Sequence, residues 1–477
     1  MQVGFNVHVC SRICHVVLTQ WRYLVNKSLR LTSMLVFVIT ALLANGGRAL
    51  AVTGFTTGIT VQDLSTSSAA NFVIAYARQS DGWVYSATRD QLNALQSRIY
   101  NPLADAPTNF DGSSVTISNQ PIGTVVSVLG NGGNAAAAYT APSIGSTNVQ
   151  VPLLMKGNSG YNTWMRVQNM GNVASSVNVY YTDGTSNSFS SLQPGGAAVF
   201  DQSLEYHPVA IFGASVSGSQ PLAVAVVEHD PTTMFAYSGF RRGTPFPFLP
   251  LINANNSGWI TGVQIKNAGA YDTYVIVTYT PSTAGTACNE GQTIPAGQSK
   301  SFALYAFNPG GTGITTNCQF GATFIGSARV TYNTATNGSA VPLAAIVNQL
   351  NTVDKKGEAY NAFDDSDATG TLAMPLILDR AAQFSASSYF TGINVMNVGS
   401  NTASVSCTFY GSSVVLSQNL AYGQSLTAIQ LNALGANYAG SARCTAGAGS
   451  RIVSVVNVLD STPGVDHFMV YEAINTP

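Results

Sequence analysis

Nine residues, TWMRVQNMG at 163–171, return as TGVQIKNAG at 261–269 and as TGINVMNVG at 391–399, with a fainter copy, TGITVQDLS, at 57–65. Such self-similarity constrains the fold more than any other feature, because each copy must bury the same face with the same residues. The register holds well beyond the nine. Proline-led entries, PLL at 152–154, PLI at 250–252 and PLI at 375–377, open three units. An aromatic follows (Tyr161, Trp259, Tyr389, with Phe55 in the faint copy), and eight residues later stands Asn169, Asn267, Asn397 or Asp63. Gly171, Gly269 and Gly399 come two positions after each Asn.

This spacing predicts strands. Met165 and Val167, Val263 and Ile265, and Ile393 and Val395 alternate with other residues in the period of a half-buried strand. Asn-x-Gly then ends the strand, the amide bonding local backbone and the glycine accepting a positive φ. Further alternating runs follow, SVNVYYT, YVIVTYT and SVSCTFY, then the turns LQPGG, IPAGQ and LAYGQ, then PLAVAVV, PLAAIVNQL and IVSVVNVL. Closely spaced strands parted by turns indicate an all-β chain, a tandem array of antiparallel sandwiches. The units run 151–248, 249–373 (with insertions) and 374–477. Residues 52–150 form a divergent first repeat, whose TRDQLNALQSRIY reads as a helix or a longer loop.

The proline entry, the aromatic, VQN-x-G, the Val/Tyr strand, L-x-P-G and QPLA together resemble the tandem Ig-like sandwich repeats of secreted bacterial surface proteins. They are similar to the cell-adhesion-related domain found in bacteria. The resemblance covers about residues 52–477. It implies a non-catalytic role in display, adhesion or matrix, with other surface or matrix components, glycans or copies of the chain itself as partners.

The N-terminus is of another kind. Lys27 and Arg30 precede the apolar run Met34–Ala44, and RALA follows at 48–51. That is a secretory signal peptide, cut between Ala51 and Val52, and too short a run to span a bilayer. Removing residues 1–51 leaves 15 bases against 21 acids, with no later membrane anchor, so the protein is expected outside the cell or on its surface. Charged residues are only 9% of the chain, and no basic stripe offers itself to nucleic acid. Four cysteines remain after export. Pairing within repeats, Cys288 with Cys318 and Cys407 with Cys444, is the simplest arrangement. In the last pair both cysteines replace valines of the other copies, Val179 and Val277, and Val216 and Val330.

Catalytic chemistry finds little support. His207, His229 and His467 fall in separate places, and neither H-E-x-x-H nor G-x-S-x-G occurs. Glu228, His229 and Asp230 adjoin in VVEHDP, but strand neighbours point to opposite faces, and a strand end entering a turn explains them. Asp365, Asp367 and Gly370 match positions of a Ca²⁺ loop whose twelfth residue is Leu376 rather than Glu. A solvated linker is the preferred reading there, so no cofactor is expected, with Ca²⁺ as the one alternative. Trp164, Trp259, Tyr161 and Tyr389 recur at a strand position suited to core packing, whereas Tyr180 and Tyr410 face outward. The expected function is a structural or adhesive protein, with a carbohydrate-binding array as the alternative and a hydrolase last.

Overall fold

Each copy of the nine residues forms one strand: Thr56–Asp63, Tyr161–Asn169, Trp259–Asn267 and Ser387–Asn397. The computed structural model describes residues 54–303, 307, 313–333, 340–384 and 387–476, and the expected signal peptide with its cleavage site lies outside them. In every repeat the copied strand is second in the same four-strand order. In the third repeat this reads Ser299–Phe302, Trp259–Asn267, Leu343–Asn351, Lys356–Asn361. In the first it reads Ser97–Tyr100, Thr56–Asp63, Ile122–Gly130, Ala135–Thr140. All pairings between named strands are antiparallel; the first and third repeats each have a second, separate sheet, whereas in the second and fourth all the strands are joined in one continuous sheet. In the second repeat one 19-residue strand, Ile211–His229, serves both parts of that sheet, bending where its register shifts between Ser217 and Leu222.

The Asn of the copied strand is a buried pin. Asn267 Nδ2 donates to the carbonyls of Tyr271 (2.8 Å) and Ile294 (3.0 Å), and Oδ1 accepts the Gly269 amide (2.9 Å). Asn169 and Asn397 make the same three bonds, to Val173, Leu192 and Gly171 and to Asn401, Leu420 and Gly399. Asp63 differs because its partners are two amides, those of Ser65 and Ala70, which call for two acceptor oxygens. The expectation of positive φ at the glycines is corrected: none of Gly171, Gly269 and Gly399 lies in the left-handed region. Their constraint is proximity, since a Cβ on Gly269 would sit 3.0 Å from Asn267 Oδ1 and one on Gly171 2.5 Å from Gln220 Oε1. Asn267→Asp keeps the acceptor and removes both donors, so it should cost about 2 kcal/mol in a urea titration.

The first repeat follows the same plan more closely than its sequence suggests. TRDQLNALQSRIY is neither helix nor long loop but the strands Val84–Leu92 and Ser97–Tyr100 joined by a tight turn. Leu95 there has φ 65°, the conformation held by Gly195, Gly297 and Gly423 in the other copies.

The prolines stand inside the leading strands Ser146–Asn158, Phe248–Ala254 and Thr371–Gln383, not at their starts. Each marks a register shift, between Leu249 and Ile252 in the third repeat and between Met374 and Ile377 in the fourth. Proline needs no ladder partner, but the Leu after it is left with a free amide and carbonyl. A tyrosine of the same repeat takes both. Leu251 N donates to Tyr360 Oη (3.2 Å), which donates to Leu251 O (2.5 Å). Tyr471 serves Leu376 and Tyr237 serves Leu153 in the same way.

The repeats close into a ring. The described residues form one compact unit. The second core takes in Ile346 and Ala359 of the third repeat, and the third core takes in Val455, Phe468 and Val470 of the fourth. The fourth core takes in Val125, Leu129, Ala136 and Ala138 of the first. First and second meet through Val128, Ala135 and Ala137 against Trp164, Val227 and Met234. One polar contact repeats around the ring. Ser113 donates to Gly195 O, Ser327 to Gly423 O (2.5 Å) and Ser441 to Leu95 O (2.5 Å), each reaching the tight turn of the following repeat.

Candidate functional site: the carboxylates of the ring axis

The last strand of each repeat's copied-strand sheet is an edge strand, and an edge presents unpaired amides. These four, Ala135–Thr140, Met234–Ser238, Lys356–Asn361 and Met469–Glu472, pack together at the centre. Carboxyl groups of neighbouring repeats satisfy their amides. Asp466 joins all four repeats. Its backbone bonds Ala136 N (2.7 Å) and Asn134 O (2.8 Å) of the first, Oδ2 accepts Met234 N (2.9 Å) of the second, and Oδ1 accepts Gly357 N (3.0 Å) of the third. Glu358 Oε1 accepts the amides of Ala138 (3.2 Å) and Ala236 (3.3 Å). Glu472 accepts Asn361 N (2.6 Å) and Thr140 N (3.4 Å).

At one end of the axis the residues after Tyr139, Tyr237, Tyr360 and Tyr471 form a closed circuit. Ser238 Oγ donates to Thr140 O (2.8 Å), Asn361 Nδ2 to Ser238 O (2.7 Å), Asn361 N to Glu472 and Thr140 Oγ1 to Glu472 O (2.6 Å). These are AYT, AYS, AYN and VYE in the sequence, a second repeated signal as regular as the Asn turn.

Burial dominates the electrostatics. It pushes Glu358 and Asp466 well above the usual carboxylate range and raises Glu472, each opposed by the amides it accepts. Lys356, whose ammonium donates to Thr462 O (3.1 Å) and Val465 O (2.9 Å), is lowered by burial and partly restored by Asp460 and Asp466. Glu228, fully buried, faces the third repeat and accepts Asn348 Nδ2 (2.9 Å). Its pKa is pushed up to about 8 by desolvation, opposed by the Asn348 amide that it accepts, and its Oε1 is buried without a partner. A raised folded pKa stabilises fully below about pH 4.5, its unfolded value, and the stabilisation fades as pH rises toward 8. The Glu228→Gln protein should therefore lose less stability between about pH 5 and pH 9 than the unmutated protein, read from urea midpoints. Parallel profiles would contradict the assignment.

The other sequence candidates are dispersed. Asp230 caps a turn through the amides of Thr232 and Thr233, and the His229 ring packs edge-on against Phe55. His207, in the loop before Ile211, pairs with Asp183 (2.8 Å), and His467 Nε2 lies 3.0 Å from Gly133 O. Asp365 and Asp367 face arginines, Asp365 with Arg451 (3.7 Å) and Asp367 with Arg242 (2.7 Å). Among the described residues no group of three or more His, Cys, Asp or Glu is placed to hold a metal ion. Cys288–Cys318 and Cys407–Cys444 are disulfide bonds. Trp164 and Tyr389 are buried, Trp259 packs on Phe468 of the next repeat, and Tyr161 packs on Phe235. Tyr180 and Tyr410 are exposed on the outer faces. Among the described residues no helix is long and apolar enough to cross a membrane.

In comparisons with known proteins, no family model, no curated protein and no solved structure matches this chain.

Proposed function

We propose that this is an exported structural or adhesive protein that works as a rigid scaffold rather than as an enzyme, its repeats of the Ig-like kind. The observation that carries the reading is the use made of the axial carboxyls. Asp466, Glu358 and Glu472 each bind backbone amides of other repeats, so the strongest polar groups of the molecule are spent on holding four sandwiches together. Two disulfides fit an oxidising compartment. A low-charge, polar outer surface suits contact with matrix or surface partners. Cell fractionation with mass spectrometry of the non-reduced protein tests this. Disulfide-bonded protein in the medium or on intact cells, starting at Val52, is the expected result, and reduced protein in the cytoplasm is the contrary one.

A glycan-binding reading draws support from one observation: Tyr180, on the strand Ser175–Tyr181, stands 57% exposed, and an exposed aromatic ring can stack on sugar C–H groups. Glycan-array binding abolished by Tyr180→Ala would favour it.

A further inference from the structure

In the second, third and fourth repeats one inner strand lies between two partners. In the third, Phe324–Tyr332 pairs with Thr273–Ala284 on one side and with the leading strand Phe248–Ala254 on the other. The corresponding strand of the first repeat, Gly112–Ser118, pairs among the described residues with Ala70–Arg78 alone. Its open side is a usable ladder beyond Gly112, whose carbonyl Arg166 of the second repeat already holds (3.0 Å). Asn119 N donates to Asn71 O, so by alternation the amides of Ser114 and Thr116 point away from that partner. Val330, the counterpart of Thr116, donates its amide to Pro247 O (2.8 Å), just before the leading strand. Edge strands are usually guarded by charge, proline or a bulge, and GSSVTIS has none of these. Its inward residues Ser114 and Thr116 are half-buried, whereas the counterparts Ala328 and Val330 are buried.

The leading strand also seals the joint to the following repeat. Ser146–Asn158 packs on Trp259–Asn267 and Leu343–Asn351, and Thr371–Gln383 packs on Thr56–Asp63 and Ile122–Gly130. At the joint between first and second repeats no leading strand stands among the described residues. There Trp164 has a buried Nε1 without a partner.

We propose that the open edge Gly112–Ser118 receives an extended strand from a partner protein, of the apolar–Pro–Leu–apolar kind that fills the same place as VQVPLLM, FLPLI and LAMPLI in the other repeats. Strand addition of this sort draws affinity from main-chain bonds and specificity from alternate side chains. The three such strands of this chain are engaged in their own repeats, so a second copy has none to offer. The proposal goes beyond the adhesive reading and stands without it.

The test uses a labelled peptide, TNVQVPLLMKG, copied from residues 147–157. It is titrated by fluorescence anisotropy into the whole chain and into the chain starting at Val52. Saturable binding to both is expected, with none for a scrambled peptide. Thr116→Pro, which removes an outward amide at a position where an edge strand tolerates proline, should weaken binding about tenfold or more. Amide exchange on the unmutated protein gives an independent reading. Ser114 and Thr116 should exchange fast alone and slowly with peptide. Absence of binding, indifference to the proline, or slow exchange without peptide would overturn the proposal. Binding by the shortened chain alone would do so too, because the residues before Val52 would then own the edge.

Discussion

Asp466→Ala is expected to lower stability by roughly 3–5 kcal/mol, more than any other single exchange of a polar residue on the axis. The carboxyl is fully buried and accepts two amides from two different repeats, Met234 N and Gly357 N. Its loss orphans both and leaves Lys356 without a charge that partly restores its ammonium. The damage should not stay local. Amide exchange should rise on the last strands of the second and third repeats together. Asp230→Ala, which loosens only an exposed turn, is the control and should cost under about 1 kcal/mol. Equal midpoints for the two variants in urea would refute the role given to Asp466.

Opening the Cys407–Cys444 bridge is the other large effect. The two residues stand opposite each other in register on adjacent strands, fully buried, and close a loop of 37 residues. The paired change Cys407→Val and Cys444→Val installs the residues found there in the second and third repeats, Val179 with Val216 and Val277 with Val330. Packing is thus kept while the cross-link goes, and a loss of about 3–4 kcal/mol is expected. Reduction of the unmutated protein opens Cys288–Cys318 as well, so it should lower the urea midpoint at least as far. A valine pair as stable as the disulfide would show that the bridge adds nothing beyond packing.

The sandwich plan was legible in the sequence because strand period and turn chemistry are local. The offsets between Trp259, Asn267 and Gly269 recur, the Cys407–Cys444 bridge follows from the valines its cysteines replace, and Cys288–Cys318 follows from pairing within one repeat. The ring was not legible. It depends on Asp466, Glu358 and Glu472 reaching amides in other repeats, 109 to 332 residues away along the chain, and no local pattern marks a carboxyl as a bridge. Glu228 likewise reads as a strand end in VVEHDP, since its burial comes from the third repeat. Two signals were present and are plain in retrospect: the tyrosine of AYT, AYS, AYN and VYE, and the alignment of LNALQ with LQPGG, which hides a tight turn behind a leucine at the glycine place.

The claim on which the rest depends is that four sandwiches close on one another instead of standing in a row. Small-angle X-ray scattering of the purified protein measures this directly. A closed ring of this length should give a radius of gyration of about 22–25 Å, close to that of a compact chain. Four sandwiches of ordinary size in line would give about 40 Å and an elongated distance distribution, and that result would contradict the account.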